Sequence, residues 1–236
     1  MDNKEKQLHY RYNFTFDDGT EKEFIITLDD DLNLVENSMK NFPDWAKLIN
    51  IKCPNCPLDF KTVEYCPLAV NLADVIDFFK DMPSFEKAKI NCETNERWTS
   101  KHTTVQSGIS SLMGIIMASG GCPIIGKLKP LVRFHLPFAS IEETEYRVLS
   151  MYVLEEYFNY LEGKEPDWKL EKLKATYDQI QIVNRNIIDK IYDLEMHEAC
   201  TNAVIALGNF ADFISINLED RDITHVRNFV KDFINK

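Results

Sequence analysis

The sequence predicts an α+β protein, mostly helical, with a small N-terminal antiparallel sheet (a hairpin plus a third strand) and a C-terminal helical bundle. Three observations carry this. Residues 9–28 alternate with period two about an Asp17-Asp18-Gly19 turn signal. From Pro67 onward most apolar residues recur at helical spacing. Between Leu170 and Leu194 that spacing becomes a three-four alternation sustained over three heptads.

In the hairpin, Tyr10, Tyr12, Phe14 and Phe16 share one side, and Phe24 to Leu28 form the returning strand. An isolated hairpin is barely stable, so this aromatic face must lie on something. A short turn or helix is expected within residues 30–40, and another after Pro43 leading to Leu48 and Ile49. Pro67 suits the first position of a helix running from Leu68 to Met82, with Leu72, Val75, Ile76 and Phe79 on its apolar side. Glu86 to Trp98 reads as the third strand, with Ala88, Ile90 and Cys92 on the apolar side. Thr104 to Ser119 reads as a helix with few charges, buried nearly all round.

Ser140-Ile141-Glu142-Glu143 is a capping box opening a helix to about Leu161. Its apolar face would be Tyr146, Leu149, Val153, Leu154, Tyr157 and Leu161. Asp167 caps a long helix whose seam is Leu170, Leu173, Tyr177, Ile180, Asn184, Ile187, Ile191 and Leu194, with Asn184 the one polar position. The seam suits an intramolecular hairpin with Cys200–Ile216, or a homodimer through residues 170–194. A last helix spans Ile223 to Ile234. The 236 residues read as one domain. The single candidate boundary, at residues 163–167, would divide a sheet and cysteine-rich part (1–162) from a bundle (167–236).

The chemistry concentrates in cysteine. Four of the six cysteines, Cys53, Cys56, Cys66 and Cys122, are each followed by proline. Cys53-Pro54-Asn55-Cys56 has the two-residue spacer that lets two thiolates share one tetrahedral metal, and the proline presets the turn between them. Cys66 and Cys122 supply single further ligands. The second Cys-x-x-Cys of a zinc ribbon is absent. Zinc leads among the metals because it tolerates ligands scattered along the chain. An iron–sulfur cluster comes second, without the ferredoxin spacing. As an N-cap, Cys66 would have its thiolate stabilised by free N–H groups and the helix dipole, lowering its pKa. Cys122 follows Ala118-Ser119-Gly120-Gly121, where backbone can pack closely around a site. His135, thirteen residues after Cys122, is an alternative fourth ligand. The competing readings are a thiol-disulfide oxidoreductase using Cys53 and Cys56, a helical interaction module with no site chemistry, and inert buried cysteines.

Other candidates are weaker. Asp193, His197 and Cys200 fall on one helix face at metal-like spacing. Arg97, Arg133 and Arg147 are candidates for an anion pocket whose convergence the sequence leaves open. No Gly-x-Ser-x-Gly, P-loop, Rossmann or His-Glu-x-x-His motif is present. A net charge of −11 repels phosphate backbones, so a nucleic-acid partner is not expected. The polar start lacks a signal-peptide core, and the apolar stretch Ile109–Ala118 is too short to span a bilayer. A cytoplasmic protein with no membrane partner is expected. Reduced thiols there favour a metal over a disulfide.

The series Cys-Pro-x-Cys-Pro-Leu, Cys-Pro-Leu-Ala, Gly-Cys-Pro and Phe-His-Leu-Pro-Phe-x-Ser, between about residues 45 and 165, resembles an uncharacterised bacterial protein family of unknown function. The resemblance implies no activity, substrate or catalytic residue, and the sequence names neither a small-molecule nor a protein partner.

Overall fold

The computed structural model describes residues 7–35, 39, 41–80, 82–193, 198–220 and 223–231. The architecture is α+β, with 55% of the chain helical and a four-stranded antiparallel sheet at the N-terminal end. Strands β1 (Leu8–Phe16) and β2 (Glu21–Leu28) form the expected hairpin, with Tyr12 opposite Phe24. Gly19 takes the left-handed conformation (φ +83°) that closes the turn, and Asp18 accepts the Thr20 N–H at 2.8 Å.

A 3-10 turn (Asp44–Ala46) and α1 (Leu48–Ile51) follow. The turn or helix expected within residues 30–40 lies partly outside the described residues. Helix α2 spans Pro67–Phe79, with Pro67 at its first turn and Cys66 as N-cap. It ends short of the expected Met82.

The expected third strand is two strands. β3 (Lys87–Thr94) turns back at Asn95–Glu96 into β4 (Trp98–Thr104), giving the order β2-β1-β3-β4. β4 is an edge strand of mostly exposed polar residues. It gains its ladder from β3 while burying little, so it carries no apolar alternation to read. The inner face of the sheet buries Tyr10, Tyr12, Phe14, Ala88, Ile90 and Cys92.

Helix α3 (Val105–Ser119) lies across this face, its first turn capped by Thr104 accepting the Ser107 N–H. Its sides are buried nearly all round, as its low charge implies. A 3-10 turn (Ile125–Leu128) and α4 (Lys129–Arg133) lead to α5 (Ile141–Leu161), where both halves of the capping box close: Glu143 N–H to Ser140 Oγ at 3.2 Å and Ser140 N–H to Glu143 Oε2 at 2.7 Å.

The face that α5 buries is not the expected one. Val148, Leu149, Glu145 and Glu156 point inward, while Leu154 (52% exposed), Tyr157 (48%) and Leu161 (60%) face solvent. Polar anchors set this orientation. Glu145 accepts hydrogen bonds from Asn217 (3.0 Å) and His225 (2.6 Å), Glu156 accepts the Asp167 N–H (2.7 Å), and Arg147 donates to the carbonyls of Leu131 (2.6 Å) and Phe134 (2.8 Å). The bonds to Glu145 and Glu156 satisfy carboxylates that would otherwise be buried alone, which outweighs the small gain from burying a few more apolar side chains.

Helices α6 (Glu171–Asp193) and α7 (Glu198–Asp220) run antiparallel, paired by Asp178 with Ser215 at 2.8 Å and Lys174 with Glu219 at 3.7 Å. Asp167 caps α6 from outside its N-cap position, accepting the Lys172 N–H at 2.7 Å. The seam residues Leu173, Tyr177, Ile180, Asn184, Ile187 and Ile191 are buried within the single chain; Leu194 lies outside the described residues. Helix α8 (Thr224–Val230) packs through Val226. One continuous core runs from Tyr10 to Val226. Among the described residues one helix, Ala199–Asp220, is long and apolar enough to cross a membrane by length and composition. Its mean hydropathy reaches 1.4, and 44% of that window is buried, against α3 and α6 among others.

Candidate functional site

Three segments of chain deliver the four Cys-Pro cysteines to one cavity. Cys53 follows α1, and the Cys56 N–H bonds the Cys53 carbonyl at 3.0 Å, closing the turn that the two-residue spacer implies. The Cys66 N–H bonds the Ala46 carbonyl at 2.9 Å, which anchors the start of α2 beside the 3-10 turn. Cys122 comes in over the top of α2. Gly121 has φ +83°, and a Cβ there would lie 3.2 Å from Pro67 Cβ, so glycine permits the close approach. Asn71 fastens this junction by donating to the carbonyls of Pro67 (2.8 Å) and Gly120 (3.3 Å). The Cys53–Cys56 turn is also tied to α6, through Asn55 donating to Gln179 Oε1 at 2.9 Å and Asn186 donating to the Ile51 carbonyl at 2.9 Å.

Cys53, Cys56, Cys66 and Cys122 together line a cavity of about 10 Å³, closed by apolar groups such as Leu48 and Val183. As the side chains stand, no group of three or more His, Cys, Asp or Glu residues among the described residues is set to hold an ion. Protonated thiols have no reason to converge to the sulfur separations that a shared cation imposes, since metal binding requires deprotonation. Burial pushes the Cys53 thiol up to about 12, with Cys66, Cys122 and Cys56 adding to the effect. Cys66 is raised as well. Burial is the larger cause, and the N–H groups of Ala69 and Leu68 oppose it without closing a cap hydrogen bond. The depressed pKa expected at this N-cap is therefore not what the fold produces, because loss of water outweighs the helix terminus.

His135 does not join the cysteines. It lines a second, larger cavity of about 540 Å³ between α3, the Leu131–Arg147 stretch, α6 and α7. Its Nε2 lies 2.8 Å from Tyr12 Oη and 3.4 Å from Ser111 Oγ. Ser111 Oγ is 2.8 Å from Tyr12 Oη and accepts the Phe138 N–H at 3.2 Å. Solvent reaches part of the residue, yet protein crowds the ring. That burial, with Arg147 adding, pushes the His135 pKa down to about 3. The histidine is neutral at pH 7, and Tyr12, raised well above its ordinary value by burial, keeps its proton, so the two share one hydrogen bond between neutral groups. A serine beside a histidine suggests a hydrolytic pair. This one has a weakly basic histidine and, among the described residues, no carboxylate on its other nitrogen, so the arrangement fits a structural network better than a general base.

Cys92 and Cys200 are buried core residues away from both cavities' walls. The Asp193, His197 and Cys200 grouping includes His197, which lies outside the described residues. Of the three arginines, Arg147 lines the large cavity, while Arg133 donates to the Asp30 carbonyl at 3.2 Å. Sequence reasoning missed Ser111 and Tyr177 as cavity groups, and Tyr12 as the partner of Ser111 and His135 behind them. Asn184, the polar position in the α6 seam, was the one signal that this face meets something other than core.

Fold and sites define an α+β protein with a sheet-backed buried helix, a closed four-cysteine cavity and a larger, mainly apolar cavity beside it. A family model described as "Domain of unknown function (DUF6901)" matches residues 9–229, and the chain belongs to that family. The match reaches well beyond residues 45–165, taking in the sheet and the α6–α7 hairpin. No curated protein and no solved structure matches the chain.

Proposed function

We propose that Cys53, Cys56, Cys66 and Cys122 hold one metal ion, zinc ahead of any other, and that its role is structural or regulatory rather than catalytic. The observation that carries this is their convergence on one cavity of about 10 Å³, roughly the volume of a single water-sized sphere. A site of that size suits a single ion. An iron–sulfur cluster, the second candidate, needs more room. A cation would also stabilise the thiolates that burial disfavours at Cys53 and Cys66, because coordination deprotonates its ligands outright. The ion would lock the irregular 52–66 segment, the start of α2 and the Gly120–Cys122 turn to one another and to α6. In this reading the first three elements of the Cys-Pro series supply all four ligands. The reading keeps a reducing, cytoplasmic setting, with no nucleic-acid or membrane partner.

The dithiol alternative is disfavoured by the raised pKa of Cys53, since the thiolate is the nucleophile. A homodimer through α6 is disfavoured because the seam residues already pack within the chain.

The test is elemental analysis with a visible spectrum on untagged protein purified without oxygen. One equivalent of zinc in a colourless solution supports the structural site. Iron with visible absorbance moves the reading to a cluster. Absence of any metal in protein with all four thiols reduced overturns it.

A further inference from the structure

We infer that the cavity of about 540 Å³ binds an organic carboxylate with an apolar body, a straight-chain acid of medium length, with its carboxylate on Arg147 and Tyr177. Protein interiors are normally filled to crystal-like density. A void of this size lies within the usual range of ligand pockets, and it is too large to be a packing defect. Its wall is mostly hydrocarbon, including Met117, Ile180, Leu207, Phe210 and Ile214.

Polar side chains are interspersed on that wall, and Arg147 and Tyr177 stand out among them. Among the described residues no carboxylate lies within ion-pair reach of Arg147, although the guanidinium is partly buried and desolvated. One of its terminal nitrogens serves the Leu131 and Phe134 carbonyls, which aims the group, and its other N–H donors have no partner among the described residues. Tyr177, 2% exposed, lines the same cavity as Arg147. Its hydroxyl has no hydrogen-bond partner among the described residues. Buried polar groups are almost always satisfied, so donors facing a cavity without partners mark where an acceptor belongs. A guanidinium fork beside a phenol is a carboxylate-binding pair.

The other charges at the cavity are Lys101 and Glu143, both on its exposed rim. Glu143 is held in the capping box and its charge offsets part of that on Arg147, while Lys101 adds a second positive charge, so the sum of the three stays positive and favours an anion. Asn184, two helical turns beyond Tyr177 and therefore about 10 Å further along α6, offers one polar contact toward the other end of the ligand. This inference is independent of the metal reading, since no cysteine lines the cavity.

The experiment is isothermal calorimetry on the full chain, with its metal content as purified, using dodecanoate and 1-dodecanol. Dodecanoate is expected to bind at least about ten-fold more tightly than the alcohol, the difference one charge-assisted contact supplies. Arg147→Gln should remove that preference. Ala206→Phe, which fills the cavity wall without touching the head-group site, should weaken dodecanoate by at least about ten-fold. Failure of dodecanoate to bind the wild type below its micelle-forming concentration overturns the inference, as does equal binding of acid and alcohol. If Arg147→Gln does not fold, the wild-type comparison and Ala206→Phe decide: dodecanoate binding unchanged by the filled wall places it elsewhere and overturns the assignment.

Discussion

Tyr12 on β1 and His135, 123 residues later, share a hydrogen bond of 2.8 Å at the edge of the large cavity. Burial keeps the ring neutral, with the His135 pKa pushed down to about 3 from an ordinary 6.5. The unfolded chain takes up a proton near pH 6.5 that the folded protein refuses until about pH 3, so ν_U exceeds ν_N in that window. Stability contributed by the neutral ring is complete above about pH 6.5 and is lost as pH falls toward 3. Urea unfolding of wild type and His135→Asn at several pH values tests this. Between pH 6 and 4 the wild type should lose up to about 1.4 kcal/mol per pH unit more than the variant. Equal slopes would mean the ring titrates normally.

The cysteines separate into two groups by their expected responses. Cys66→Ser and Cys122→Ser should each lower metal content and cost at least about 3 kcal/mol, because losing one ligand releases the whole clamp. Cys92→Ala and Cys200→Ala, in the core, should cost about 1–2 kcal/mol for the lost packing and leave the metal stoichiometry intact. A Cys122→Ser protein with full metal content and unchanged melting temperature would sink the four-cysteine site.

Two glycines on α3 should respond in opposite ways to alanine. A Cβ on Gly108 would fall 2.5 Å from Ile90 Cδ1 and 2.6 Å from Phe14 Cε1, where the sheet meets the helix. Gly108→Ala should destabilise by about 1–2 kcal/mol even after the helix-propensity gain. Gly114 has its nearest neighbour, Leu207 Cδ2, at 3.8 Å, so Gly114→Ala should be stabilising by up to about 1 kcal/mol. Thermal unfolding of the pair checks the order.

Glu145, 1% exposed, holds α5 to α7 and α8 through Asn217 and His225. Glu145→Ala leaves both partners without their acceptor and should cost about 3 kcal/mol. Glu155→Ala, on the exposed side of the same helix, should stay within about 0.5 kcal/mol. Similar losses for both would show that α5 is not fastened by the buried carboxylate.

Much of the fold was legible because its signals are local. The hairpin turn at Asp17-Asp18-Gly19, the capping box at Ser140 and the seam of α6 each depend on residues within a few positions of one another. β4 was hidden because an edge strand needs a neighbour more than an apolar side. The α5 face was misread because apolar periodicity assumes that apolar groups decide orientation, and here Glu145, Arg147 and Glu156 do. Their partners sit on other elements and leave no trace in the local pattern.

The sequence by itself determined the α+β class, the order of most elements and the four Cys-Pro residues as one candidate set, because spacing, turn chemistry and helix capping act over short stretches of chain. Only the tertiary structure decided that those four cysteines share a cavity while His135 goes to another, and that Arg147, Tyr177 and Asn184 line that larger, mainly apolar cavity. These groups lie on different elements or successive turns, and the packing of α3, α6 and α7 brings them together. That packing depends on the summed fit of many side chains, which no short pattern in the chain records.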